Sequence, residues 1–434
     1  MSELPTGWET IVLREIAARG TGTIDPSCAP EEEFELYSVP AFSTGNPETR
    51  LGGEIKSVKQ VVREGDVLLC KIVPHINRVW TVGPYNGRRQ IASGEWIVYR
   101  DHHCDPSYLR ALLSEGEFRE RFLTTVSGVG GSLMRANPKA VAEFEVPLAP
   151  VDEQRRIVAK IDRLSAKSKR CRDQLDHIPK LVQRYKQAVL DSCFHNFSFK
   201  KPLIDFVDEG RGIPYGIIQT GIPTTNGVPT VRCGDIKDYS VDRSTLKRVD
   251  PDIESQYQRT KLRGGEILIA IRGSVGNTCV ASDELSGCNI SREVAMIPLR
   301  KGELPQFFAY YLTSTEARSY ILGNVKGVAQ QGINLADLRG VPAPMVKAAV
   351  QEETVRRIES AFSWIDRLAA EATSARKLID RLDQAVLAKA FRGELVPQDP
   401  ADEPASVLLD RIRAERVGAP AAKRRGRPRA PALL

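Results

Sequence analysis

Two long stretches of the chain carry apolar residues at alternating steps of four and three. In the first, Ile157, Ile161, Leu164, Ser168, Cys171, Leu175, Ile178, Val182, Tyr185 and Val189 keep this spacing without a break. In the second, it runs through Thr354, Ile358, Ala361, Ile365, Leu368, Ala372, Ala375, Ile379, Leu382 and Val386. Such a period, sustained this long, predicts helices with a coiled-coil seam that must be covered by a partner. The larger residues of the predicted seam are Ile157, Ile161, Leu164, Leu175, Ile178 and Val182 in the first helix. In the second they are Ile358, Ile365, Leu368, Ile379, Leu382 and Val386. Pro179, where the second stretch has Arg376, predicts a kink or restart.

Ahead of each helix the pattern changes to short β-branched runs between glycines and prolines. Val67–Val73, Gln90–Tyr99 and Glu266–Ile271 read as strands, with helices over Pro106–Thr125 and Pro305–Leu322. The two halves are copies of each other. Gln187-Ala-Val-Leu190 recurs as Gln384-Ala-Val-Leu387, and the same shift of 197 carries Gln154 onto Gln351, Phe194 onto Phe391 and Pro147 onto Pro344. Upstream the shift is 200, where Arg63-Glu-Gly-Asp-Val-Leu-Leu69 answers Arg263-Gly-Gly-Glu-Ile-Leu-Ile269. The predicted organisation is an α+β domain over 1–150, a helix over 151–196, a second α+β domain over 197–346, a helix over 347–395 and a C-terminal segment over 396–434. A period this long means duplicated domains, not a solenoid.

Charge sharpens this picture. Of the net +7, residues 412–434 supply +6, with seven basic residues against Glu415, so the body is almost neutral. A polyanionic partner is implied, with the excess charge in a tail. The eight cysteines form no C-x-x-C pair, and the His102-His103-Cys104 run has no second ligand pair at metal-binding spacing. No apolar run is long enough to span a membrane and the N-terminus has no secretory pattern, so a cytoplasmic location is expected.

Catalytic signatures are absent. There is no phosphate-binding G-x-x-x-x-G-K-[ST] loop, no G-x-S-x-G elbow and no H-E-x-x-H. The adenine methyltransferase tetrapeptide is missing, and Asn137-Pro138-Lys139 lacks its second proline and aromatic residue. Glu54-Ile-Lys56 and Asp235-Ile-Lys237 look like fragments of a nuclease set, but such tripeptides arise by chance in a chain of this size. No catalytic residue, no metal site and no cofactor bound by this chain are expected.

Several motifs resemble the specificity (S) subunit of type I restriction–modification systems. Pro5-Thr-Gly-Trp8-Glu…Leu13-Arg-Glu-Ile16 looks like the opening of that family's target recognition domain. Val146-Pro-Leu-Ala-Pro150…Glu153-Gln-Arg-Arg-Ile157 looks like its junction into a long helix. The most specific run is Leu382-Asp-Gln-Ala-Val-Leu-Ala-Lys-Ala-Phe391-Arg-Gly-Glu-Leu395, followed by Asp402-Glu-Pro-Ala-Ser and Leu408-Leu-Asp-Arg-Ile-Arg-Ala-Glu-Arg416. The resemblance implies two target recognition domains, each reading half of a bipartite double-stranded DNA site. It implies that the two helices pair antiparallel as a ruler and dock two methyltransferase subunits, which recruit restriction subunits. S-adenosylmethionine, ATP and Mg would then sit on those partners. A related fused or type IIB-like system, or a coiled-coil scaffold without DNA readout, are the alternatives.

Base edges are read by Arg, Lys, Asn and Gln on loops that leave strands. In the first domain the candidates are Lys71, His75, Asn77, Arg78, Arg88, Arg89 and Arg135. In the second they are Arg272, Ser274, Asn277, Gln330, Gln331 and Asn334. The run Ile271-Arg272-Gly-Ser-Val-Gly276-Asn277 is more typical of the family than its counterpart Lys71-Ile-Val-Pro-His75-Ile-Asn77-Arg78. In the tail, Arg425, Gly426, Arg427, Pro428 and Arg429 resemble an AT-hook. There, glycine allows close approach and proline holds the chain extended, while arginines enter a narrow minor groove. A basic tail acting only through its charge is the alternative.

Overall fold

A computed structural model describes residues 4–16, 22–100, 103–127, 134–237, 239–326 and 332–418. The chain forms two compact units, one of Met1–Asp173 with Ala375–Leu434 and one of Gln174–Ser374. Each therefore combines the α+β part of one sequence copy with segments from both helical stretches.

In the first unit the opening strand Glu9–Val12 pairs antiparallel with Glu145–Leu148, which leads into the helix Val151–Leu175. In the second, Lys200–Pro202 pairs in the same sense with Pro342–Pro344, just before the helix Ala348–Phe391. The first unit also holds a five-stranded sheet in the order Thr23–Ile24, Lys59–Val61, Arg89–Ala92, Glu33–Tyr37, Glu48–Leu51. Its three-stranded sheet places Val67–Cys70 between Val79–Thr81 and Trp96–Tyr99; in the second unit Ile267–Ala270 lies likewise between Thr278–Val280 and Val294–Ile297. Both central strands are buried at every position, which is why they read as unbroken apolar runs.

Three predicted elements prove to be pairs. Gln90–Tyr99 is two strands, Arg89–Ala92 and Trp96–Tyr99, because the chain turns at Ser93-Gly-Glu95 and sends them to different sheets. Pro106–Thr125 divides into Pro106–Leu112 and Gly116–Thr124, and Pro305–Leu322 into Pro305–Leu312 and Thr315–Gly323. Each second helix restarts on a side-chain cap: Glu115 accepts from Phe118 N–H at 3.0 Å and Ser314 from Ala317 N–H at 3.4 Å.

The repeated glutamines and phenylalanines fasten helices to these bodies. Gln154 accepts from Asp105 N–H at 3.0 Å and donates to the Ala149 carbonyl at 2.8 Å. Gln351 accepts from Leu304 N–H at 2.8 Å and donates to the Val346 carbonyl at 3.3 Å. Phe391 meets Tyr108 edge-on with ring centres 5.3 Å apart, as Phe194 meets Phe307 at the same distance. Each amide ties the start of a long helix to the start of a short one, and buried amides this fully bonded tolerate little movement.

The first helical stretch breaks between Leu175 and Ile178, with Pro179 at the head of the new helix Ile178–Phe194, as its sequence predicts. In the first unit Arg172 pairs with Asp380 at 3.1 Å and with Asp383, while Arg156 pairs with Asp402 at 2.5 Å. In the second, Lys186 pairs with Asp366 at 2.6 Å and lies over the Phe362 ring. Ile157, Ile161, Ile358, Ile365 and Val386 are buried, and Leu164, Leu175, Ile178, Val182 and Ile379 are half-buried. Leu368 and Leu382 lie outside this buried set, at 41% and 56% exposed, and Cys171 and Tyr185 are exposed as well. Leu190, Phe194, Phe362, Ala390 and Phe391 of the same helical stretches are buried, in the cores of the two units. An α-helix of 3.6 residues per turn drifts about 20° per heptad from a strict 3.5 frame, so a fixed four-three count slides off the contact face.

A C-terminal helix, Ala405–Gly418, completes the first unit. Its Ala405, Leu408, Leu409 and Ile412 share a core with Trp8, Ile11 and Ile16, and Ala405 N–H donates to the Gly7 carbonyl at 2.8 Å. Arg413 pairs with Glu15, and Trp8 Nε1–H donates to the buried Glu153 at 2.9 Å. The Arg156 guanidinium holds the Asp402 carboxyl below its usual range, whereas burial pushes the Glu153 carboxyl up. Among the described residues no helix is long and apolar enough to cross a membrane.

Candidate nucleic-acid interface

In each unit the buried central strand opens into a donor-rich loop. In the first, Lys71 Nζ donates to the Gly94 carbonyl at 2.6 Å. Asn77 donates to the Ser114 carbonyl at 3.2 Å, and the His75 carbonyl accepts from Arg119. Arg78 is half-buried, its Nη1 enclosed without a hydrogen bond. Arg135 lies across the loop, where it bridges Ile72 and donates from Nε and Nη2 to Glu95 at 3.0–3.3 Å. Lys71 and Arg135 thus flank the Ser93-Gly-Glu95 turn.

Arg88 and Arg89 belong to a different place, the five-stranded sheet. Arg88 pairs with Glu33 at 2.7 Å; Arg89 pairs with Glu32 at 2.5 Å and covers the Phe34 ring. The hydrogen bond from Arg89 holds the Glu32 carboxyl below its ordinary value. These exposed pairs cancel most of the local charge and are worth little to stability.

In the second unit the loop 271–277 folds onto the 233–236 segment. Ser274 donates to the Cys233 carbonyl at 3.0 Å and Asn277 to the Ile236 carbonyl at 3.4 Å. Gly273 has φ +68°, and a Cβ there would press on the Cys233 sulfur, so glycine is required on both counts. Exposed Arg272 bridges Gly332. Asn334 caps the helix Leu335–Arg339, accepting from Asp337 N–H at 2.8 Å and donating to its carboxylate at 2.6 Å. Gln330 and Gln331, like Arg425, Gly426, Arg427, Pro428 and Arg429, lie outside the described residues.

Two features escaped the sequence reading. One is a cleft of about 380 Å³ in the second unit that holds Gln219, Arg232, exposed Arg292 and Glu293. The other is a repeated acid. Ser93-Gly-Glu95 and Ser291-Arg-Glu293 form the same turn, and the recurring S-x-E was the signal available.

No protein-family model matches the chain. Among curated proteins, the specificity subunit of the type I restriction enzyme EcoBI from Escherichia coli is 31% identical over 350 residues, spanning 73% of this chain and 71% of that one. The chain belongs to the type I restriction enzyme specificity subunits. Its similarity to the EcoKI specificity subunit of E. coli strain K12 is 27% over 315 residues, covering 66% and 67% of the two chains. A solved chain from work on complex assembly and conformational transition of a type I R-M system superposes with a TM-score of 0.72. It covers 91% of this chain and all of its own length at 24% identity, a likeness of fold. A type I specificity subunit is a non-catalytic component that supplies DNA specificity, while catalysis lies in partner subunits.

Proposed function

We propose that this chain reads a bipartite site in double-stranded DNA, one half through each unit. The helical segments pair as an antiparallel coiled coil that sets the spacer and docks two methyltransferase subunits, onto which restriction subunits assemble. The observation that carries this reading is the repetition of one architecture. In both units a buried strand opens into a loop facing a second segment, and the same glutamine and aromatic contacts fasten that body to the helices.

Lys71, Arg135, Arg272 and Arg292 are suited to base edges or phosphates, and the near-neutral body suits a subunit that supplies selectivity while partners add affinity. The chain itself binds neither S-adenosylmethionine nor ATP; those and Mg belong to the partners. The Arg425–Arg429 run adds a contact to flanking DNA by charge or through the minor groove.

Hydroxyl-radical footprinting of the chain assembled with its methyltransferase subunits tests the reading. Two sequence-specific protected patches, separated by a stretch whose base identity does not matter, are the expected outcome. A single continuous recognition sequence would contradict it.

A further inference from the structure

The S-x-E turns occupy equivalent positions in the two units. Lys71 N–H donates to the Glu95 carbonyl at 2.9 Å, and Ile271 N–H donates to the Glu293 carbonyl at 2.8 Å. One residue on, Ile72 bridges Arg135 in the first unit and Arg272 bridges Gly332 in the second. An arginine therefore stands beside the same turn in both units, on opposite sides of one backbone bridge.

In the first unit the geometry of that arginine is specified. Its Nε and Nη2 both donate to Glu95, with the Arg135 side chain 43% and the Glu95 side chain 28% exposed. A guanidinium carries five N–H donors in one plane. The carboxylate takes the side-on pair and leaves the end-on pair, from Nη1 and Nη2, for an outside acceptor. The pairing cancels the charge, which makes Arg135 a weak phosphate anchor, but it fixes the plane of the fork. Guanine O6 and N7 present two acceptors that match such a fork.

We propose that Glu95 is a positioning residue that holds Arg135 as a guanine reader within one half of the DNA site. The proposal rests on the DNA-reading role above and adds the base and the residues. Its test uses the chain assembled with its methyltransferase subunits, and duplexes in which each base pair of the site is replaced in turn. Arg135→Lys keeps the charge and loses the fork. It is expected to cut the preference for guanine at one position roughly tenfold, while the other half-site and the salt dependence stay as they were. Glu95→Gln keeps the size and loses the carboxylate, and should relax that same position alone. A uniform loss over all duplexes with a shallower salt slope would make Arg135 a phosphate contact and overturn the proposal. An unchanged base profile in either variant would overturn it too. The unaltered complex serves as the control on the underlying reading. If it shows no preference for a split site, both ideas fall; if it does and the variants match it, only the role of Glu95 and Arg135 falls.

Discussion

Deleting residues 394–434 is expected to collapse the first unit, whereas deleting 419–434 leaves it folded. The longer deletion removes Ala405, Leu408, Leu409 and Ile412 from the core and exposes Trp8, Ile11 and Ile16. It also strips Asp402 from Arg156. Burial of each large aliphatic side chain is worth ~1.5–3 kcal/mol. Losing three of them approaches the whole stability of an ordinary domain, roughly 5–15 kcal/mol. Limited proteolysis checks this: cuts within residues 4–173 should come much faster after the longer deletion. Equal resistance of the two truncated chains would show that the C-terminal helix merely rests on the surface.

Charges placed on the second long helix should separate true contact positions from those of the heptad count. Ile358 is fully buried, and Ile358→Asp puts a carboxylate into the apolar core that Leu190, Phe194 and Phe307 also belong to. The expected loss is at least ~3 kcal/mol, since a buried charge without a partner is among the costliest single changes. Leu382→Asp, at a position 56% exposed, should cost no more than about 0.5 kcal/mol. Urea unfolding followed by circular dichroism measures both. Similar losses at the two positions would show that Leu382 is as much a contact position as Ile358.

What the sequence revealed, and what it hid, divides along locality. The helices were legible because their period repeats over many turns, and Pro179 marked the break. The strands Val67–Cys70 and Ile267–Ala270 were legible because both faces are buried. The turn at Ser93-Gly-Glu95 was hidden inside a run of strand-forming residues. The docking of Leu408, Leu409 and Ile412 draws on Trp8, Ile11 and Ile16, nearly four hundred residues away in the chain. The same holds for the candidate readers. Arg88, Arg89 and Arg135 were chosen for residue type and loop position, but their acidic partners lie 55, 57 and 40 residues off. No local pattern reports such pairing. The duplication repeats the acid of the S-x-E turn in both copies but not the pairing, since Glu293 accepts from the Cys233 thiol at 3.2 Å.

On the proposed function, this chain determines where a restriction–modification enzyme acts, through two half-sites. Methylated-base mapping in cells that carry the partner subunits, with and without this chain, tests it most directly. The expected result is adenine methylation at one split motif, two short sequences with a fixed gap, present only when the chain is expressed. Methylation at the same positions without the chain, or confined to an unsplit motif with it, would contradict the account.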